Sequence, residues 1–129
     1  MTQEEKQTLI KDLSMRLPYG VHGEYSWKCG KPYKRELTGN LMAELILSFN
    51  SSGDSEFKPY LRPMSSMTEG EILEFIRIGD SFLRIGEKKL TCILSLKQMD
   101  WLNAHHFDYR GLIEKGLALE APKGMYKNE

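Results

Sequence analysis

Hydrophobic positions along the chain change period several times, and each change predicts an element. Thr2 and Glu5 form a T-x-x-E capping box, and Leu9, Ile10, Leu13 and Leu17 then recur at helical spacing. This predicts an amphipathic first helix that ends before Pro18 and lies on a sheet. From Tyr19 onward the period shortens. Val21, Tyr25 and Trp27 fall at even offsets, Cys29-Gly30-Lys31-Pro32 has turn chemistry, and Tyr33 to Leu37 reads as a return strand. Gly39-Asn40 is a second turn signal, and the apolar run Leu41 to Phe49 reads as a third strand, so a three-stranded antiparallel meander is expected. Residues 50–55 form a polar loop.

Phe57 to Pro63 contains two prolines, which remove ladder donors, and is expected as an edge strand or an extended crossing. Ser66 or Thr68 caps a middle helix running to about Ile78. Glu69 and Glu71 lie in its first turn, Leu73 with Ile76 and Ile72 with Phe75 form its buried stripe, and Gly79 is its stop. Phe82 to Ile85 and Lys89 to Leu96 flank Gly86-Glu87-Lys88 as a second hairpin. Ser95 with Gln98 forms a capping box for a helix carrying Trp101, Leu102 and His105. Asp108 is an N-cap for one more short helix closed by Gly116, before a tail through Leu117 and Leu119 to Pro122. The pattern predicts one α+β domain over residues 1–129. An N-terminal helix packs on an antiparallel sheet (meander plus second hairpin), with a middle helix and a C-terminal pair of short helices.

Composition narrows the function classes. Among 129 residues, 18 basic side chains balance 18 acidic ones, which argues against a dedicated nucleic-acid binder. Cys29 and Cys92 are too few and too far apart for a disulfide framework or a zinc site, and read as buried or merely free thiols. The polar start Thr2 to Gln7 is not a secretory leader and no apolar run is long enough to span a bilayer, so a cytoplasmic protein without a membrane partner is expected.

The densest stretch of informative residues is Met99 to Pro122. Adjacent His105 and His106 point about 100° apart on a helix and do not readily grip one metal together. His105 with Asp108 could supply two ligands and distant His22 a third, yet no H-E-x-x-H or paired C-x-x-C pattern supports a metal. Capping and packing at a helix end are sufficient reason for the histidines. The chain has no G-x-S-x-G and no G-x-x-x-x-G-K-[ST], and neither cysteine has an adjacent histidine. No cofactor or metal is expected, and an enzyme is not the favoured reading.

What recurs is a combination of cations and aromatics. Lys28, Lys31, Lys34 and Arg35 lie on a hairpin tip shouldered by Trp27 and Tyr33. Lys58, Tyr60 and Arg62 repeat the combination, and His105, His106, Tyr109 and Arg110 supply it a third time. Taken singly, each patch is a solvated basic surface with a buried aromatic. If two converge they make a pocket for an anionic, nucleotide-like molecule. In that pocket Arg62 and Arg110 contact charge, Tyr60 and Tyr109 stack, and His105 and His106 give directional hydrogen bonds.

Three runs carry a resemblance: residues 17–21 (LPYGV), 58–67 (KPYLRPMSSM) and 100–113 (DWLNAHHFDYRGLI). Over rather less than half the chain they resemble short uncharacterised proteins of gut-anaerobe genomes, prophages and mobile elements. The resemblance assigns no residue a role. It implies a non-catalytic binder, such as a counter-defence protein that sequesters a ligand. The alternatives are a protein–protein interaction module, with Met64, Met67 and Met99 as adaptable surface, and a nucleic-acid accessory factor using the basic hairpin. A homo-oligomer is compatible with each.

Overall fold

The computed structural model describes residues 2–27, 30–50, 55–79 and 96–126. Helix α1 (Gln3–Arg16) opens on the expected capping box. Thr2 Oγ1 accepts the Glu5 amide hydrogen at 3.1 Å, and Glu5 Oε1 accepts that of Thr2 at 2.7 Å. A 3-10 turn over Leu17–Tyr19 leads through Gly20, at φ 70°, into β1 (His22–Trp27). β2 (Tyr33–Glu36) returns antiparallel to β1, with Tyr33 opposite Tyr25 and Glu36 opposite His22. Val21 and Tyr25 point into the core, as their spacing predicts.

The strand expected over Leu41 to Phe49 is instead a helix, α2 (Gly39–Asn50). Its buried residues Leu41, Met42, Leu45, Ser48 and Phe49 share one helical face. The run is rich in Leu, Met, Ala and Glu, all strong helix formers, and Thr38 Oγ1 accepts the Leu41 amide hydrogen at 3.2 Å to start it. A short continuous apolar run does not declare its own period, and here composition and the Thr38 cap decide it.

β3 (Ser55–Pro63) takes the place the third meander strand was expected to hold. It is neither an edge nor a crossing: the sheet order is β2-β1-β3-β4, with β5 also paired to β3. The prolines are tolerated because they stand where pairing stops. Pro59 faces Gly23 in the last register with β1, and Pro63 is the final residue of the strand. Gly23 lets the strands close: a Cβ there would lie 2.5 Å from the Phe57 ring. β4 (Phe107–Asp108) and β5 (Leu119–Glu120) both pair parallel to β3, so the sheet is mixed rather than antiparallel.

A 3-10 turn (Met64–Ser66) precedes helix α3 (Glu69–Ile78), capped by Thr68 rather than Ser66 and ended at Gly79. The stripe expected to be buried is largely exposed at Ile72, Leu73 and Ile76. The inward positions are Glu71, Phe75 and Ile78, because Glu71 is drawn into an ion pair with Arg62 and fixes the rotation of the helix. Helix α4 (Leu96–Ala104) brings Trp101 and Leu102 against Phe107, Phe75 and Ile78 in a small apolar cluster. The main core lies between α1, α2 and the β1–β3 face, around Leu9, Leu13, Leu45, Phe57 and Leu61.

The second member of the expected C-terminal helix pair does not form. Residues 112–116 are a turn bounded by Gly111 (φ 71°) and Gly116 (φ 76°). Asp108 caps it all the same, its two carboxylate oxygens accepting the amide hydrogens of Leu112 and Ile113 at 2.9 Å each. The expected second hairpin, except its last residue Leu96, which begins α4, and Ser95 of the α4 capping box lie in residues 80–95, outside the described residues. Among the described residues no helix is long and apolar enough to cross a membrane.

Candidate functional site

Arg62, one residue before the end of β3, is almost fully buried. Its Nη1 and Nη2 donate to the two carboxylate oxygens of Glu71 at 2.8 Å each, and its guanidinium lies 4.2 Å from the Phe107 ring centroid. Glu71 also accepts the Thr68 amide hydrogen at 3.0 Å, so one carboxylate both caps α3 and pairs with β3. The hydrogen bonds from Arg62 are the main reason the Glu71 carboxyl is held down to about 2; the Thr68 bonds add to this and burial opposes it.

After α4 the chain must turn sharply into β4, and His106 makes that turn at φ 64°. Its carbonyl accepts the Arg62 amide hydrogen at 2.7 Å, which locks the turn to β3. Its ring stacks on Tyr126 at 3.6 Å and 16°. Burial above all pushes the His106 imidazole down to about 4, and the positive fields of Arg16, His105, His22 and Arg62 push the same way. His105 packs against Trp101 with ring centroids 4.1 Å apart and planes tilted by 31°, and its Nδ1 lies 3.9 Å from Glu71 Oε2, beyond hydrogen-bond reach. His22, at the start of β1, reaches this group with its ring 6.1 Å from that of Tyr126.

These side chains border a cleft-like cavity of about 290 Å³ lined by Tyr19, His22, Arg62, His105, His106 and Tyr126, with Gly20, Ala104 and Met125. The chain has three histidines, and all of them line it. Among the described residues no carboxylate does. Nδ1 of His105 and Nδ1 of His106 are both buried without a hydrogen-bond partner. Arg16 Nη1, Trp101 Nε1 and Asn103 Nδ2 are also buried and unpartnered, but those residues do not line the cavity. Buried polar atoms are nearly always satisfied, so two orphaned imidazole nitrogens within residues that line one cavity are exceptions that call for an explanation. Among the described residues no group of three or more His, Cys, Asp or Glu is arranged to hold a metal ion.

Of the residues singled out from the sequence, Arg62, His105 and His106 therefore come together. The others do not join them. Tyr60 is buried and donates to Glu24 Oε1 at 2.7 Å; burial first, and then that carboxylate, raise its phenol above the ordinary value. Tyr109 and Arg110 turn to α1. Tyr109 donates to Asn103 Oδ1 at 3.0 Å, and Arg110 Nε donates to Asp12 Oδ1 at 3.1 Å beside the fully buried Asp12–Arg16 pair. Arg16 and Arg110 lie over the Tyr109 ring at 5.3 and 5.1 Å, leaving it no role as a stacking platform in the cavity.

The basic hairpin is not a single patch either. Lys34 lies over Tyr60 at 5.9 Å, whereas Arg35 lies over Tyr25 at 5.3 Å and 3.9 Å from Glu44 Oε2, as adjacent strand residues facing opposite ways must. Lys31 is exposed, and Lys28 lies outside the described residues.

The cavity residues with the weakest sequence signal are Tyr19 and Tyr126. Their place depends on how the chain ends fold back, and no local motif encodes that. Glu71 did carry a signal, as the fourth residue of a Thr68-x-x-Glu71 capping box, but its second role as the partner of Arg62 is purely tertiary. No family model, no curated protein and no solved structure matches this chain.

Proposed function

We propose that the protein is a non-catalytic binder that captures a small anionic molecule in the cavity formed by His22, Arg62, His105, His106 and Tyr126. One observation carries this reading: every histidine of the chain lines one cavity, two of them with a buried imidazole nitrogen that has no hydrogen-bond partner, and no carboxylate among the described residues lines it. Acceptor oxygens of an anion would take hydrogen bonds from the imidazole N–H groups of these histidines. The anion's charge would also offset the positive surroundings that help keep His106 unprotonated. Small-molecule sites combine a shaped cavity with a few convergent polar groups, and the cavity has both. The resemblance to short proteins of mobile elements supports sequestration as the role.

Thermal unfolding across a panel of phosphate, sulfate, short carboxylates and nucleoside monophosphates tests the proposal. A true ligand at a hundred times its Kd stabilises the protein by about 2.7 kcal/mol, and a His106→Asn variant should lose most of that gain. If no anion moves the transition, the binding role is wrong.

A second reading, a protein–protein interaction module, is supported by the exposed apolar side chains Ile72, Leu73 and Ile76 on α3. A Leu73→Lys variant that left all partner association intact would remove it.

A further inference from the structure

Beside the histidine cavity lies a larger one, of about 660 Å³, walled by Pro63, Ala121 and Pro122 and edged by Ser66 and Thr68, whose hydroxyls also bond the Pro63 carbonyl (2.7 Å) and the Glu71 amide hydrogen (3.2 Å). Arg62 lines both cavities. The tail after β5 runs from one to the other, with Gly124 on the wall of the larger and the next residues, Met125 and Tyr126, on the wall of the smaller. The two compartments therefore adjoin, and their chemistry differs. The smaller, at about 290 Å³, is ringed by imidazoles and lies just below the usual size of a site for an organic ligand. The larger is within that range, with proline and alanine surfaces and two hydroxyls.

We propose that the two cavities hold the two ends of one ligand, a nucleoside monophosphate, with its phosphate among the histidines and its nucleoside in the larger compartment across Arg62. This rests on the anion-binding reading of the histidine cavity and adds the class of ligand. The phosphate suits the smaller compartment because its donors come from separate elements: His22 from β1, and His105 and His106 from the turn after α4. A tetrahedral anion with three terminal oxygens meets donors arriving from several directions better than a planar carboxylate does. The nucleoside suits the larger one because a flat, mostly apolar ring packs on Pro63, Ala121 and Pro122 while ribose hydroxyls reach Ser66 and Thr68. Charge does not favour placing the phosphate in the larger cavity, since Lys123 on its wall is offset by Glu120.

Calorimetric titration of the intact protein with inorganic phosphate, the four nucleosides and the four nucleoside monophosphates tests this, alongside a Pro122→Trp variant. Pro122 is an exposed wall residue, so the substitution fills the larger cavity without entering the core. At least one monophosphate should bind tenfold or more tightly than phosphate and than its own nucleoside. Pro122→Trp should reduce its affinity to near that of phosphate and leave phosphate binding unchanged, which also shows that the variant is folded. Phosphate binding with no gain from any nucleoside, or a gain that survives Pro122→Trp, overturns the two-compartment site while sparing the anion site. A nucleoside that binds as tightly as its monophosphate overturns the phosphate's place among the histidines. No binding of any probe overturns both.

Discussion

The His106 imidazole and the Tyr126 ring stack at 3.6 Å, and this contact joins the turn after α4 to the C-terminal tail. The Tyr126 hydroxyl extends the link: it donates to the Tyr60 carbonyl at 2.7 Å and accepts the His22 amide hydrogen at 3.2 Å. One side chain thus ties β1, β3 and the His106 turn together at the cavity wall. Tyr126→Phe keeps the stack and removes the hydroxyl, leaving buried backbone groups with one partner fewer. The expected cost is about 1–2 kcal/mol, and Tyr126→Ala should cost roughly 3–5 kcal/mol. Urea unfolding of the two variants checks the order and the gap.

Stability should fall on the acid side in two stages. The folded chain holds His106 at about 4 against an ordinary 6.5, so between those pH values the unfolded chain binds a proton that the folded chain does not. The stabilisation from neutral His106 is complete above 6.5 and lost as pH falls through about 4, at most roughly 3 kcal/mol. Glu71, held at about 2 against 4.5, contributes a second loss as pH falls from 4.5 toward 2. Asparagine tolerates positive φ, so His106→Asn should flatten the curve between pH 6.5 and 4 and leave the lower stage intact. Equilibrium unfolding across pH 2–8 reads both.

The Arg62–Glu71 pair should prove costly to break and cheap to replace. Arg62→Met leaves a buried carboxylate without its partner and should destabilise by about 3–5 kcal/mol. Adding Glu71→Leu removes the stranded charge and should restore most of that, apart from the lost cap on α3. A double-mutant cycle by denaturant unfolding measures the coupling.

Arg110 and Asp12 separate the structural cluster from the cavity. Arg110 keeps a fifth of its side-chain surface exposed, so Arg110→Ala should cost about 1 kcal/mol or less and leave anion affinity unchanged. Asp12 is fully buried between Arg16 and Arg110, and Asp12→Ala strands the buried Arg16, at a cost of about 3–5 kcal/mol. Loss of anion binding in a folded Arg110→Ala protein would put the site on the α1 side instead.

Local signals in the chain were legible and long-range ones were not. The Thr2–Glu5 and Thr68–Glu71 boxes, the β1–β2 hairpin and the turn capped by Asp108 are all written in residues a few positions apart. Leu41 to Phe49 misled because a continuous apolar run is compatible with either period and the Thr38 cap is a weak mark. The prolines of β3 suggested an edge because the end of each pairing register, where proline is harmless, cannot be read without the partner strands. Two of the three cation–aromatic groups pointed near the cavity, since Arg62, His105 and His106 line it. Tyr60, Tyr109 and Arg110 left it for Glu24, Asn103 and Asp12, partners 36, 6 and 98 positions away in sequence. His22 and Tyr126 entered it from opposite ends of the chain.

Because the chain's three histidines all line the cavity, imidazole nitrogen NMR tests the central claim most directly. The spectrum would be recorded while phosphate or a nucleoside monophosphate is titrated in. Capture of an anion there predicts that His22, His105 and His106 signals move together and saturate at one equivalent, with the His106 titration midpoint rising from about 4. Three imidazole signals that stay fixed at millimolar anion, with the His106 midpoint unchanged, would contradict it.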